Sequence, residues 1–593
     1  MKPIFKLLRY IKPYKWYVII ASITMFLQVF VSFYIPFLTI EMIDEALPNR
    51  NFERVLHIGL IMLGFATAGI IAGIINTYTS QRVSQFATAD LRLNVFKRIQ
   101  MLSFKNVDDL KQSRLITNAT NDVMRVEMFF TMMLRIVLRA PLMIIVGLIY
   151  ALGTSLRLSN VFYVTMPLLM ISVVIIMFFA YPRFKKVQVA LDDLNNVSLE
   201  NANSPQVIKS FVSQDHEKKR YLTANEQYRK VNTSAETVMA FADPVINFIF
   251  NLGVAGILFA GAYYLNQGEL LTAEGIPQVG LIMAFNAYSQ QILIGLMMFA
   301  MIMIFLSRAN VSAARINEIF DTVIDLETKD DPYQGPLTGD ITFDNVSFAY
   351  GKDSKPALNK VNLSIKAGEK IGIIGSTGSG KSTMAYLIPR LYDVSEGSVY
   401  LGDYDVRDFD IKTLRDHIGF VTQQATIFSG SMATNMFQGK PEADNDDLEE
   451  AANQALLKTF IHEQEDGYNY LIKAKGVNLS GGQKQRLSIA RAMIKKPKIL
   501  IFDDATSAVD ASSEQQILSH INDLTYNPTL LLVSQKVSTV KKLDKIIVLS
   551  NDGTIDGFGT HDDLIKKSAV YQEIAASQLG LGGEYDVQTE NIK

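Results

Sequence analysis

A chain of 593 residues is too long for one hydrophobic core, because single cores stop growing at roughly 250–300 residues. Its 49% hydrophobic content against 20% charged residues falls outside the balance of an ordinary soluble enzyme. A formal net charge of -2 offers no basic field, so no nucleic-acid partner is expected, and the absence of cysteine excludes disulfides, thiolate metal sites and cysteine nucleophiles.

The apolar excess lies in the first half. A bilayer core of about 30 Å takes about 20 apolar residues in helix, and six runs meet that length, roughly 16–40, 55–78, 129–154, 160–181, 237–265 and 277–306. The first is too long for a signal peptide and no small-residue cleavage site follows it. Lys2, Lys6, Arg9, Lys12 and Lys15 precede the first run, Arg82, Arg92, Lys97 and Arg98 follow the second, and Arg183, Lys185 and Lys186 follow the fourth, whereas 266–275 has neither Lys nor Arg. The positive-inside bias therefore predicts a multi-pass protein of the cytoplasmic (plasma) membrane with both termini cytoplasmic. Trp16, between Tyr14 and Tyr17, sits where an interface anchor belongs.

The stretches 80–128 and 182–236 are charged, helically patterned and almost free of Gly and Pro. Helices that run on past the bilayer are expected there, since structureless loops of that length are uncommon. Arg135 and Arg139, at one end of the third run, read as charges at the membrane surface. Asp243, Asn247 and Asn251 recur on one helix face of the fifth run, as do Asn286 and Gln290 in the sixth. Hydrogen bonding between helices and contact with a transported molecule explain such stripes equally well.

After about Glu318 the sequence turns polar, acidic and broken by Pro and Gly, and then mixes short apolar strands with amphipathic helices. The expected organisation is a six-helix membrane domain over 1–320, a linker over 321–338, an α/β domain over 339–578 and a polar tail over 579–593.

Lys370 to Ile374 reads as a buried strand running into Gly375, Ser376, Thr377, Gly378, Ser379, Gly380, Lys381, Ser382 and Thr383. That is the phosphate-loop pattern: glycines let backbone amides turn toward phosphate oxygens, Lys381 reaches the outer phosphates, and the Ser382 hydroxyl serves a magnesium ion. ILIFD, ending in Asp503, is an apolar strand with a terminal carboxylate that completes a magnesium site in such folds.

Between them lies Leu479, Ser480, Gly481, Gly482 and Gln483, followed by KQR. LSGGQ between a phosphate loop and an apolar strand ending in Asp resembles the ATP-binding cassette family, and the resemblance covers nearly the whole chain. It implies a fold: a six-helix membrane bundle of the ABC exporter type fused to a cytoplasmic α/β P-loop NTPase, with ATP and Mg2+ as ligands. It implies that Tyr350 stacks on adenine, that Gln423 joins Ser382 and Asp503 as a magnesium ligand, and that SAVD, ending in Asp510, crosses to a partner cassette. In the family two cassettes close on two ATP molecules, each held by the phosphate loop of one chain and the LSGGQ of the other. Short helices at the tips of the helical extensions carry the motion, and Ser113 to Thr120 and Ser204 to Phe211 are the candidates.

Two residues depart from the family pattern. Asp504 stands where a Glu normally polarises the attacking water, and its shorter side chain withdraws the carboxylate by about 1 Å, a displacement that can cost ~100-fold in rate. Gln535, in VSQKVST, stands where the switch His is expected and carries no titratable charge. IKAKG, before the signature, is a softer departure. Binding positions are kept while catalytic ones are altered, as in the degenerate-site subunit of a heterodimeric multidrug exporter. Such a chain pairs with a second half-transporter, moves amphipathic small molecules and sits in membrane lipid. The alternatives are a slow homodimeric exporter of lipids or peptides, or a nucleotide-gated regulatory membrane subunit.

Overall fold

The protein's structure, a computed structural model, describes residues 2–579 except 273–274, 327–328, 352–353 and 507–508, together with the side chains of all but 299–301, 303–304, 307 and 579 among them. Nearly all of the expected polar tail, and Ser507 and Ala508 of SAVD, therefore lie outside the described residues. The chain divides into two compact units, one of residues 1–100 with 113–322 and one of residues 101–112 with 323–593.

Apolar residues in unbroken runs form helices in the first unit because lipid offers no partner for a free backbone N–H or C=O. Among the described residues six segments are long and apolar enough to cross a membrane: Lys2–Ala46, Phe52–Met101, Gln112–Thr154, Leu156–Asn203, Gln214–Asn266 and Val279–Met298. The last continues as helix to Asp321. Phe52–Met101 has 50 residues, about 75 Å at 1.5 Å per residue, more than twice a hydrocarbon core. The stretches expected to extend the membrane helices are indeed helical over most of their length.

Glycines set how closely these helices approach. A Cβ on Gly147 would lie 2.6 Å from Ile292 Cγ1, and one on Gly261 would lie 2.5 Å from Ile282 Cδ1. The final helix thus packs directly on the third and fifth, around buried Phe33, Met143, Phe285 and Tyr288. The polar stripes take no part in this core. Asp243, Asn247, Asn251, Asn286 and Gln290 are all exposed on the chain, and the amides of Asn247 and Asn251 donate to the Asp243 and Asn247 carbonyls of their own helix at 2.9 and 2.8 Å.

Among the described residues two carboxylates are buried in the unit's packing, Asp44 and Asp122. Asp44, only 2% exposed, accepts from the backbone N–H of Gly280 at 2.6 Å and of Leu281 at 3.0 Å. It caps the start of the last helix, whose first N–H groups have no partner of their own and favour negative charge.

The second unit carries two main sheets. The smaller is antiparallel, in the order Leu358–Ile365, Ile341–Phe348, Glu396–Leu401, Tyr404–Asp405. The larger runs Ile555–Gly559, Lys545–Leu549, Lys370–Gly375, Thr529–Val533, Ile499–Asp503, Ile418–Val421, parallel except for its first, edge strand. Lys370–Gly375, Ile499–Asp503 and Thr529–Val533 are buried at every residue, as a parallel sheet covered on both faces requires. The expected linker begins at the helix end, Asp321, and is tied to this unit where Tyr333 stacks on Tyr404 with ring centroids 3.9 Å apart.

The tip helices differ from expectation at one place. Ser113 to Thr120 is not a separate short helix but the beginning of the long third one, including a π-helical turn at Asn118–Asp122. The short helix is Phe104–Leu110, started by a reciprocal cap between Ser103 and Asn106, and it belongs to the second unit, where Asp108 accepts from the Tyr392 hydroxyl at 2.7 Å. The second candidate does form a short helix, Pro205–Ser210.

The Asp44 cap generates a stability prediction. Asp44→Ala leaves two helix-terminal donors without their acceptor, so it should destabilise the protein by ~1–3 kcal/mol. A thermal unfolding midpoint in detergent equal to that of the unaltered chain would refute the capping role.

Candidate functional site

Four parallel strands deliver the site from their carboxyl ends, where ligands of open α/β sheets bind. Lys370–Gly375 leads into the phosphate loop, Ile418–Val421 into Gln423, Ile499–Asp503 into Asp504 and Thr529–Val533 into Gln535. Register brings these ends level: Val533 lies opposite Asp503 and Ile373, and Val421 opposite Phe502.

The phosphate loop depends on glycine at two positions. Gly378 and Gly380 have φ of +87° and +92°, a region that L side chains avoid. A Cβ on Gly380 would lie 2.2 Å from the Ala357 carbonyl oxygen. Lys381 begins the helix Lys381–Leu387, and its Nζ is held inside the loop, donating to the carbonyls of Gly375 at 3.0 Å and Ser376 at 2.6 Å. Burial lowers its pKa, against the opposing charges of Asp504 and Asp503. The Ser376 hydroxyl donates to Asn551, and the Ser379 hydroxyl is buried without a hydrogen bond.

Ser382 Oγ donates to Asp503 Oδ1 at 2.7 Å. Asp503 is 1% exposed and its other oxygen, Oδ2, makes no hydrogen bond. An ionised carboxylate oxygen kept from water with no donor is costly to bury, and a cation would relieve that cost. No cluster of three His, Cys, Asp or Glu occurs among the described residues. The donor set of one carboxylate and one hydroxyl beside a phosphate cradle fits Mg2+, which takes few protein ligands and completes its shell with water and phosphate oxygens.

Asp504 has φ of +50° and its N–H donates to the Val533 carbonyl at 3.1 Å. Burial and then the charge of Asp503 raise its pKa, opposed by a hydrogen bond from Gln423 and by Lys536 and Lys381. That hydrogen bond, from Gln423 Nε2 to Asp504 Oδ2, is long at 3.4 Å. Gln535 is exposed, and its carbonyl accepts from Gln578 Nε2 at 2.6 Å. Tyr350 is 45% exposed and its hydroxyl pairs with Thr383 Oγ1 at 3.0 Å.

Other expected residues stand apart from this group. Ser480 caps the helix Gly481–Met493: its N–H donates to Gln483 Oε1 at 2.7 Å while its Oγ accepts from the Gln483 N–H at 3.2 Å. Leu479 is buried beneath it, and Gly481 is exposed with Gly482 partly so. Among the described residues no hydrogen bond joins 479–483 to 375–383. Asp510 caps the helix Ala511–Asn522 by accepting from the Ser513 N–H at 2.9 Å, which lowers its pKa.

Two tyrosines went unread in the sequence. Tyr386, on the turn after the phosphate loop, has its hydroxyl pKa pushed up by burial and by the charge of Asp503. Tyr392 packs edge-on against Tyr350 with centroids 5.4 Å apart while binding Asp108. An aromatic on the helix that follows a phosphate loop was a usable signal for the first. The second depends on a contact some 280 residues away in sequence.

These features define a P-loop nucleotide-binding cassette on the same chain as a six-helix membrane bundle. The family descriptions "ABC transporter transmembrane region" and "ABC transporter" match residues 18–297 and 358–507. A Bacillus subtilis protein, the uncharacterized ABC transporter ATP-binding protein YfiB, is 36% identical over 98% of this chain and 99% of its own length. MT1311 of Mycobacterium tuberculosis, named likewise, is 31% identical over 96% of this chain and 97% of its own. The chain belongs to the ATP-binding cassette transporters. Its fold is that of an ABC exporter: a bacterial Atm1-family exporter solved with ATP bound superposes with a TM-score of 0.77 at 24% identity, covering 96% of this chain and 98% of the other.

Gly380→Ala should weaken nucleotide binding by roughly 5–100-fold, the equivalent of 1–3 kcal/mol of backbone strain; unchanged binding of a fluorescent ATP analogue would contradict the loop geometry. A second prediction concerns pH. Because folding raises the pKa of Asp504, its contribution to stability is fully present below the unfolded carboxylate pKa and is lost as pH rises through the raised value. Asp504→Asn should therefore raise the melting temperature of the nucleotide-free protein at pH 8, and the gain should shrink as pH falls toward 4. An equal gain at both pH values would argue against the raised pKa.

Proposed function

We propose that this chain is the degenerate-site subunit of a heterodimeric exporter that drives amphipathic small molecules, drugs among them, out across the cytoplasmic membrane, with both its termini cytoplasmic. The reading rests on one observation: Asp504 and Gln535 occupy the two catalytic positions while the cradle from Gly375 to Thr383, with Asp503, is complete.

The roles are those that the family resemblance implies, and the geometry of the cradle supports them. The exposed ring of Tyr350 receives the adenine of ATP. Amides of the loop and the Lys381 ammonium hold the phosphates, with Lys381 already turned into the loop. Ser382 and Asp503 would hold Mg2+, joined by Gln423, and the ion when bound neutralises charge on the outer phosphate oxygens. Asp504 is the base nearest the attacking water, but its carboxylate is short and partly occupied by Gln423. Gln535 donates a hydrogen bond to the outer phosphate without supplying a charge. ATP is therefore held well and cleaved slowly at this site.

The partner chain completes the arrangement. Leu479 to Gln483, a helix start exposed at Ser480 and Gly481 with its own cap satisfied, serves the phosphate loop of the partner, and Asp510 and its neighbours lie at the junction of the two cassettes. The partner carries Glu after its magnesium Asp and His at its switch, and its site supplies most of the turnover.

The test is made in the reconstituted pair and in the chain alone. The purified chain should bind ATP and hydrolyse it ~100-fold more slowly than the pair. In the pair, Gly481→Asp places bulk and negative charge against the partner's phosphate and should nearly abolish ATPase activity. Lys381→Ala should reduce it less, since it damages the slower site. If Lys381→Ala is as damaging as Gly481→Asp, or the chain alone turns over briskly in lipid, the degenerate-site reading is wrong.

A further inference from the structure

The membrane unit encloses a cavity of about 330 Å³ lined by Arg135 and Arg139, together with Gln28 and Asn76. That volume is in the range of small-molecule sites. The two arginines are four residues apart, and a π-helical turn, Met133–Val137, holds the first of them; such turns are rare and recur at functional sites.

Neither guanidinium has a carboxylate partner among the described residues, and Arg139 Nε is buried without a hydrogen bond. The acids earlier on the same helix are engaged elsewhere. Asp122 accepts from Ser312 at 2.7 Å and lies within 4.0 Å of Arg125 and Arg315. Glu127 accepts from Gln85 at 2.6 Å and lies 3.7 Å from Arg92. Arg139, partly buried between membrane helices without a counter-ion, is costly there and marks a functional site, and Arg135, exposed on the chain, stands about one helical turn away. The cavity also presents a polar edge: among the described residues the Gln28 side chain makes no hydrogen bond, and Gly73, where a Cβ would lie 3.0 Å from Gln28 Nε2, leaves that amide room. The lining also includes Met25 and Met132, flexible side chains that adapt to varied apolar shapes.

We infer that this cavity binds an amphiphile with an anionic head group, a carboxylate, sulfonate or phosphate, its charge on Arg135 and Arg139 and its apolar body against the methionines. The inference refines the proposed export function by giving the transported molecule a charge, yet its test needs no ATP turnover, so either can fail without the other.

The test uses the full-length protein, with its partner if it has one, in nanodiscs of neutral phosphatidylcholine. The probes are 8-anilinonaphthalene-1-sulfonate and, as a cationic control, rhodamine 6G. Arg135→Gln with Arg139→Gln should weaken the anionic probe by roughly tenfold or more and leave the cationic one unchanged. Arg135→Lys with Arg139→Lys should keep most of the affinity. Should the double Gln variant fail to fold, Arg135→Gln alone, at an exposed position, should still show a loss for the anion only. A second arm adds phosphatidylglycerol: displacement of the probe from the unaltered protein identifies a lipid head group as the ligand, and no displacement identifies a soluble amphipathic anion. Equal anion binding by the unaltered and double Gln proteins, or equal losses for both probes, would overturn the inference.

Discussion

The hydrogen bond from Ser382 to Asp503 joins residues 121 positions apart, and it exists because a parallel sheet ends all its strands on the same side. The strand that feeds the phosphate loop and the strand that carries Asp503 are not neighbours; Thr529–Val533 lies between them, paired in register to both. Slipping that middle strand by one residue would turn its side chains to the opposite face and shift Asp503 by about 3 Å along the sheet. The phosphate loop, Asp503, Asp504 and Gln535 inherit their positions from this alignment, and the complete burial of the three strands is what fixes it.

The membrane unit solves a different problem. Water is absent, so helices must satisfy their own backbones and then find partners by close packing. Gly147 and Gly261 admit Ile292 and Ile282, and Asp44 supplies the acceptors that the last helix lacks at its start. The remaining polar groups divide into those turned outward, as with Asn247 and Asn251, and those turned into the cavity with Arg135 and Arg139.

Local patterns were the legible part of the sequence. The phosphate loop, the strand ending in Asp503, the signature and the six apolar runs are each contiguous, and each was found where its residues predicted. Distant pairings were harder. Tyr392 finds Asp108 only through tertiary folding, so its neighbour helix Phe104–Leu110 was passed over in favour of 113–120, although Ser103 and Asn106 form a capping pair that the sequence does contain. The polar stripe at 243, 247 and 251 was correctly placed on one helix face, but periodicity says nothing about whether that face meets protein or surroundings. Arg135 and Arg139 show the same limit: the cavity they line is made by several helices, and no single run of sequence displays it.

The backbone at position 504 bears on how reversible the loss of a glutamate there would be. With φ of +50°, it lies in the left-handed region, where Asp is several-fold more at home than most residues. Shortening Glu to Asp at such a place removes reach from the carboxylate but relaxes the chain that bears it, and lengthening it again must be done against that relaxation. Backbone ease and the reach of the carboxylate pull in opposite directions at this residue.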